Sequence, residues 1–358
     1  AETKAKNVIL MDYDTGEYLF AENAFVPVAP ASMSKLMTVY VLFSKLKDGT
    51  LSLEDVFSVS ENAWRTGGAA SGSSTMFLPI GSKVTVENLI KGIIIQSGND
   101  ACIVAAENIA GSEEDFAELM NAKAKELGLK NSHFVNSTGL PHPDHRMSAE
   151  DLARLAQALI RDFPEYYSVF SQKSFTYNNI LQGNRNPLLY SMPDADGLKT
   201  GHTAEAGFCL TASVKRGDRR LIGVMTGLKS NKERSEEAEK LMNWGFREFN
   251  NYKVFKQFQR IVSVPVYMGE EKSIDLAVDE DVIMTIARSK ARDVKLTAVY
   301  EKPVKAPVAQ GDKLGEVKIE IPGGEVKTVP LYADHSIRKL GFWGRILSNV
   351  KYLLFGAE

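Results

Sequence analysis

The chain has 358 residues, 25% of them charged and 44% hydrophobic, which excludes a disordered polymer and leaves room for two or three domains. Its 43 Lys and Arg nearly balance 45 Asp and Glu, for a net charge of −2, so no global basic field is on offer to nucleic acid. No run of 18 or more apolar residues occurs, and two cysteines are too few for a disulfide-stapled scaffold.

The stretch opens at Ala1-Glu2-Thr3, without an initiator Met or an apolar leader, which is no argument for the cytosol. Val8-Ile9-Leu10-Met11 and Tyr18-Leu19-Phe20 flank Asp14-Thr15-Gly16-Glu17 and predict a hairpin. Met33, Leu36, Met37, Tyr40, Val41 and Phe43 keep near-helical spacing and predict a helix over 32–48, with Gly49 as its stop. Segments 87–109, 113–127 and 148–161 are also helical in pattern, the last two opening at Ser112 and Ser148. Cys102 and Cys209 each lie in an apolar run, which predicts two separately buried thiols. Residues 205–214 and 219–227 read as two strands joined through 215–218. Helices interleaved with strands adjacent in sequence imply a mixed α+β (α/β) domain, an antiparallel or mixed sheet packed by helices, over 1–252. From 253 to 335 the period becomes two, as at Val262, Val264 and Val266, and Pro322-Gly323-Gly324-Glu325 marks a hairpin turn. This predicts a small all-β domain. In 336–358, Leu340, Phe342, Trp343, Ile346, Leu347, Val350, Leu353 and Leu354 gather on one helical face, and four basic residues stand against one acid. That pattern suits an anionic membrane surface, or equally a helix packed on its own domain.

Three short motifs carry chemistry. In Ser32-Met33-Ser34-Lys35, positions i and i+3 share a helical face, so Lys35 lies beside the Ser32 hydroxyl. A neutral lysine can activate a serine, provided that burial or a nearby like charge lowers its pKa from ~10.4. The alternative is an N-cap serine and a surface lysine, and Ser44-Lys45-Leu46-Lys47 repeats the pattern as a solvated face. In Ser97-Gly98-Asn99, two polar side chains sit between apolar runs. A hydroxyl there can pass a proton, and an amide can hold a lysine and a carbonyl together. A satisfied helix connection is the plain alternative, and Ser60-Glu61-Asn62 is a second match. Lys199-Thr200-Gly201 is expected to begin a strand, 203–214, where a cation, a hydroxyl and a glycine can receive a carboxylate and an approaching backbone. A turn before a strand is the alternative, and Arg65-Thr66-Gly67 is a near-match.

S-x-x-K, S-x-N and K-T-G in this order form a signature of penicillin-binding proteins and class A β-lactamases. With Ser97-Gly98-Asn99-Asp100-Ala101-Cys102, Asn184-Arg185-Asn186, Asp196-Gly197-Leu198 ahead of Lys199, and Trp244-Gly245-Phe246-Arg247, the chain resembles low-molecular-mass penicillin-binding proteins, the serine D-alanyl-D-alanine carboxypeptidases, over nearly its whole length. The resemblance implies a β-lactamase/penicillin-binding-type fold with an antiparallel sheet flanked by helices. It implies Ser32 as the acylated nucleophile, Lys35 as its base, Ser97 as proton shuttle and Asn99 as the residue that orients Lys35 and the substrate amide. Lys199 would supply positive charge that depresses the pKa of Lys35. Thr200 and Arg234, with Arg185 as a further candidate, would meet the terminal carboxylate. The backbone N–H groups of Ser32 and His202 would form the oxyanion hole beside Gly201. The implied partners are peptidoglycan stem peptides and β-lactams. The implied setting is the outer face of a bacterial cytoplasmic membrane, with 336–358 as the tether and no nucleic acid involved. The nearest rival is a β-lactamase, but the E-x-x-L-N pattern of class A is missing between Asn99 and Lys199. A non-catalytic wall-binding protein is the other rival. No cofactor is expected. His142-Pro143-Asp144-His145 is not a standard metal-ligand set. The Gly- and Ser-rich segment 67–74 reads as a flap or a plain linker.

Overall fold

The computed structural model describes residues 1–355. It divides into two compact units, Ala1–Arg247 and Glu248–Glu358. The division falls a few residues ahead of the expected boundary at 252. Phe249–Phe255 is a strand that pairs antiparallel with Val282–Ala287, and so belongs to the second unit.

The first unit is organised on a five-stranded antiparallel sheet. Its strands run across the sheet in the order Tyr18–Glu22, Asn7–Asp12, Arg219–Leu228, Gly207–Arg216, Ala195–Thr203. The first two form the expected hairpin, whose turn is held by Asp12 Oδ1 accepting from the N–H groups of Asp14 and Thr15. The central strands are apolar on both faces because helices cover both. Ile9, Met11, Ile222 and Val224 pack toward the helical layer that contains Lys35–Lys47, Asn99–Ala110 and Ala149–Asp162. Val8, Leu10, Leu221 and Met225 pack on the other face, against Ala238, Leu241, Met242 and Phe246 of the helix Asn231–Glu248. Ser112 and Ser148 cap Glu113–Glu126 and Ala149–Asp162 by accepting from the N–H groups of Asp115 and Asp151. Both cysteines are buried and free.

Two expectations are corrected here. The pattern over 87–109 is not one helix: Val86–Lys91 is α-helical, Gly92–Gln96 is a π-helical stretch, and a new helix, Asn99–Ala110, starts after Ser97-Gly98. Nor does Lys199-Thr200-Gly201 open the strand over 203–214. It lies within a separate strand, Ala195–Thr203, on the sheet edge, and Thr203 Oγ1 accepts from the Ala206 N–H in the turn that leads to Gly207.

The second unit is mostly β. Beside the 249–255/282–287 pair it holds a six-stranded sheet, and its core includes Phe255, Val264, Leu276, Val317, Ile319 and Leu331. Residues 322–325 join Lys313–Glu320 to Val326–Ala333 as a hairpin. The tail forms a helix over Phe342–Phe355. Phe342, Trp343, Ile346, Leu347 and Leu353 on it are exposed, while Asn349 accepts from the Tyr267 hydroxyl. Residues 356–358 of the expected tail lie outside the described residues. No described helix is long and apolar enough to cross a membrane.

Candidate active site

Ala31 has φ +51°, in the left-handed region that residues with a Cβ rarely adopt. It opens a 3-10 turn, Ala31–Ser34, that runs straight into Lys35–Lys47. This continuous winding sets Lys35 three residues behind a half-buried Ser32, and Lys35 Nζ donates to Ser32 Oγ at 2.8 Å. The Lys35 side chain is fully buried, and burial lowers its pKa to about 8; Cys102 opposes the shift, Arg185 adds to it and Asp100 opposes it. About a tenth of such an amine is neutral at pH 7. The competing match behaves differently: Ser44 Oγ simply donates to the Tyr40 carbonyl.

Ser97 reaches the site through the break in the 86–110 segment. The π-helical stretch ends at Ser97, which takes the left-handed conformation at φ +63°, and the Gly98 N–H closes back on the Gly92 carbonyl at 2.9 Å. π-helical insertions of this kind recur at functional sites. Ser97 Oγ and Asn99 Oδ1 are buried and make no hydrogen bond among the described residues. Buried polar atoms of this kind cost ~1–3 kcal/mol each, which is an argument for a polar ligand at this place.

The segment 67–74 is a wall of this site. Asn99 Nδ2 donates to Ser73 Oγ at 3.0 Å, and the Asn99 N–H donates to the Ser74 carbonyl at 2.8 Å. Arg185 Nη1 donates to Ser74 Oγ at 2.6 Å. Behind them, the buried Asp100 carboxylate accepts from Thr75 Oγ1 at 2.8 Å and from the N–H groups of Met76, Leu78 and Ala101 at 2.9–3.0 Å. Ser73, Ser74 and Asp100 were not singled out from the sequence. The Ser-rich composition of 67–74 was visible, but nothing in its spacing pointed to Asn99. The other near-matches have local roles: Ser60 caps the helix Glu61–Gly67, at whose end Arg65-Thr66-Gly67 lies.

The edge strand approaches from the other side. A Cβ on Gly201 would lie 3.0 Å from Ala31 Cβ and 3.1 Å from the Ser32 N, so glycine lets the strand close on the backbone at Ser32. Lys199, two residues earlier, shares that face of the pleat. Lys199 is buried and donates to the Thr200 carbonyl at 3.1 Å. Its pKa is pushed well down, first by burial and then by Lys35. Burial is the first cause of the depression at both amines, and their mutual repulsion adds to it. The exposed His202 ring stacks on Phe208, 4.0 Å between centroids. Arg234 sits behind the strand rather than open to solvent: Nη1 donates to the carbonyls of Gly201 and Cys209 at 3.2 Å each, and Nη2 donates to Asn231 Oδ1 at 2.7 Å. The three loop histidines each have their own partner. His133 Nδ1 is 2.8 Å from the Asp144 carbonyl, His142 Nδ1 accepts from the Asp144 N–H, and His145 Nε2 lies 2.9 Å from Ser34 Oγ.

A family model described as D-alanyl-D-alanine carboxypeptidase matches residues 1–230, and one described as penicillin-binding protein 5, C-terminal domain, matches 249–339. The D-alanyl-D-alanine carboxypeptidase DacC of Escherichia coli is 42% identical over 345 residues, 96% of this chain and 86% of that protein. The crystal structure of penicillin-binding protein 5 from Haemophilus influenzae superposes with a TM-score of 0.84 at 36% identity, covering 95% of this chain and 99% of that one. Penicillin-binding protein D2 from Listeria monocytogenes in a cefotaxime-bound form gives a TM-score of 0.63 at 27% identity, covering 69% and 98%.

Proposed function

The chain belongs to the serine D-alanyl-D-alanine carboxypeptidases, and from that premise we propose that Ser32 is its acylated nucleophile and that peptidoglycan stem peptides ending in D-alanyl-D-alanine are its substrates. Neutral Lys35 takes the Ser32 proton as Oγ attacks the carbonyl carbon of the penultimate D-alanine. The oxyanion forms beside the N–H groups of Ser32 and His202, where each lost donor typically costs ~2.7–4 kcal/mol. Ser97 Oγ gives its proton to the leaving nitrogen and is reprotonated by the Lys35 ammonium, and D-alanine departs. Neutral Lys35 then takes a proton from the water that attacks the acyl carbonyl and gives it to Ser32 Oγ as the acyl–oxygen bond breaks. Asn99 Oδ1 receives the substrate amide. Thr200, with the positive charges of Arg185 and Arg234 nearby, receives the terminal carboxylate. Lys199 contributes charge at the same edge. β-Lactams acylate the same serine. The observation that carries this reading is the 2.8 Å contact of Ser32 Oγ with a buried amine whose pKa is lowered to about 8.

The enzyme works at the outer face of a bacterial cytoplasmic membrane, held there by 336–358. This rests on a tail helix whose Phe342, Trp343, Ile346, Leu347 and Leu353 are exposed, with Arg338, Lys339, Arg345 and Lys351 on the same segment. Release of D-alanine from a stem pentapeptide tests the catalytic assignment. Ser32→Ala is expected to fall below about a thousandth of wild-type turnover; release at the wild-type rate by Ser32→Ala overturns it.

A further inference from the structure

His145 is 2% exposed, lies outside the groups that react, and stands within a directed chain of hydrogen bonds that ends beside the nucleophile. The Val135 N–H donates to His145 Nδ1 at 3.1 Å, which makes that nitrogen the acceptor and leaves the ring proton on Nε2. Nε2 faces Ser34 Oγ at 2.9 Å and donates to it. Ser34 Oγ in turn donates to the Ala31 carbonyl at 3.2 Å. The order Val135, His145, Ser34, Ala31 therefore runs one way, and it ends on the carbonyl of the residue before Ser32. That carbonyl is also crowded by the chain at Gly139, where a Cβ would come within 2.1 Å of it. Ala31 is the residue held at φ +51°, and the turn it opens is the one that Gly201 meets. A change at Ala31 would shift Ser32 Oγ against Lys35 and the Ser32 N–H against the edge strand together. Burial keeps the imidazole neutral, with its pKa lowered to about 4, so the donor order holds across the neutral range.

We propose that His145 is a positioning residue for acylation, which through Ser34 fixes the left-handed turn at Ala31 and thereby the placement of Ser32. The proposal rests on Ser32 being the nucleophile. A histidine that merely fills the core would affect how many molecules fold and leave the rate at which folded molecules react unchanged. The test therefore reads the pre-steady-state acylation rate constant with benzylpenicillin separately from the adduct per folded molecule, on the full chain. His145→Leu and Ser34→Ala are each expected to slow acylation about ten- to a hundredfold with the adduct stoichiometry kept, as sub-ångström misplacement of a nucleophile does. The double variant is expected to be no slower than the slower single one, because both break the same chain. His145→Gln, whose amide offers an acceptor and a donor, is expected to recover most of the rate. Wild-type rate constants in His145→Leu or Ser34→Ala, or a loss of adduct alone with the remaining molecules reacting at the wild-type rate, overturn the proposal. If His145→Leu fails to fold, Ser34→Ala decides alone by the same criterion. Absence of a Ser32 adduct on the wild type would instead overturn the catalytic reading from which it starts.

Discussion

As the proposed base, Lys35 has to be buried to be neutral and yet must keep a hydrogen bond to Ser32. Its pKa of about 8 makes the acylation rate follow the neutral fraction. The sign is fixed by the reactive form: the rate is expected to rise about tenfold per pH unit below 7 and to level above about 8. Acylation kinetics by benzylpenicillin from pH 5.5 to 9 measure it; a flat profile over that range contradicts the base role. Asp100 illustrates a structural partner of the same site. Asp100→Ala leaves the N–H groups of Met76, Leu78 and Ala101 without their acceptor. Several buried unpaired donors predict a loss of at least about 3 kcal/mol in urea unfolding. At this scale Ser32 and Lys35 were legible in the sequence because their contact is local, three residues apart on one winding. Asp100, Ser73 and the part played by Arg234 were not, because each acts on a segment at least 22 residues away.

Among the elements, the helical pattern over 87–109 was legible as apolar periodicity, but its break at Ser97 was not. Periodicity reports burial, and Ile93, Ile94 and Ile95 are buried in a π-helical turn just as they would be in an α-helical one. The edge strand escaped for a different reason. Residues 195–203 carry Asp196, Lys199 and His202 among apolar and small residues and show no strand alternation, and only their pairing with 207–214 reveals a second strand. The tail helix was legible as an amphipathic face, while its exposure needed the structure. An exposed apolar face beside basic side chains predicts that deleting 336–358 abolishes co-sedimentation with anionic vesicles. Raised salt is expected to weaken binding of the full chain, since the charges act within a Debye length of ~8–10 Å. Unchanged sedimentation of the deletion variant contradicts the membrane role.

For the molecule as a whole, the α+β domain followed by an all-β one was readable because the period of the pattern switches from 3.6 to 2 near residue 250. The precise division was not, since Phe249–Phe255 looks like a helix exit until its pairing with 282–287 is seen. The first unit holds every residue proposed to react and encloses its own two apolar clusters. A chain ending at Arg247 is therefore expected to unfold as one cooperative transition and to be acylated at a rate within about threefold of the full chain. Thermal melting with acylation kinetics checks this; a truncated chain that folds without reacting contradicts it.

The central claim is that Ser32 becomes covalently acylated. Intact-mass spectrometry after mixing with benzylpenicillin, on wild type and Ser32→Ala, tests it most directly. A single stable penicilloyl adduct on wild type and none on Ser32→Ala is the expected result. An adduct that persists in Ser32→Ala, or a wild type that gives none, contradicts the account.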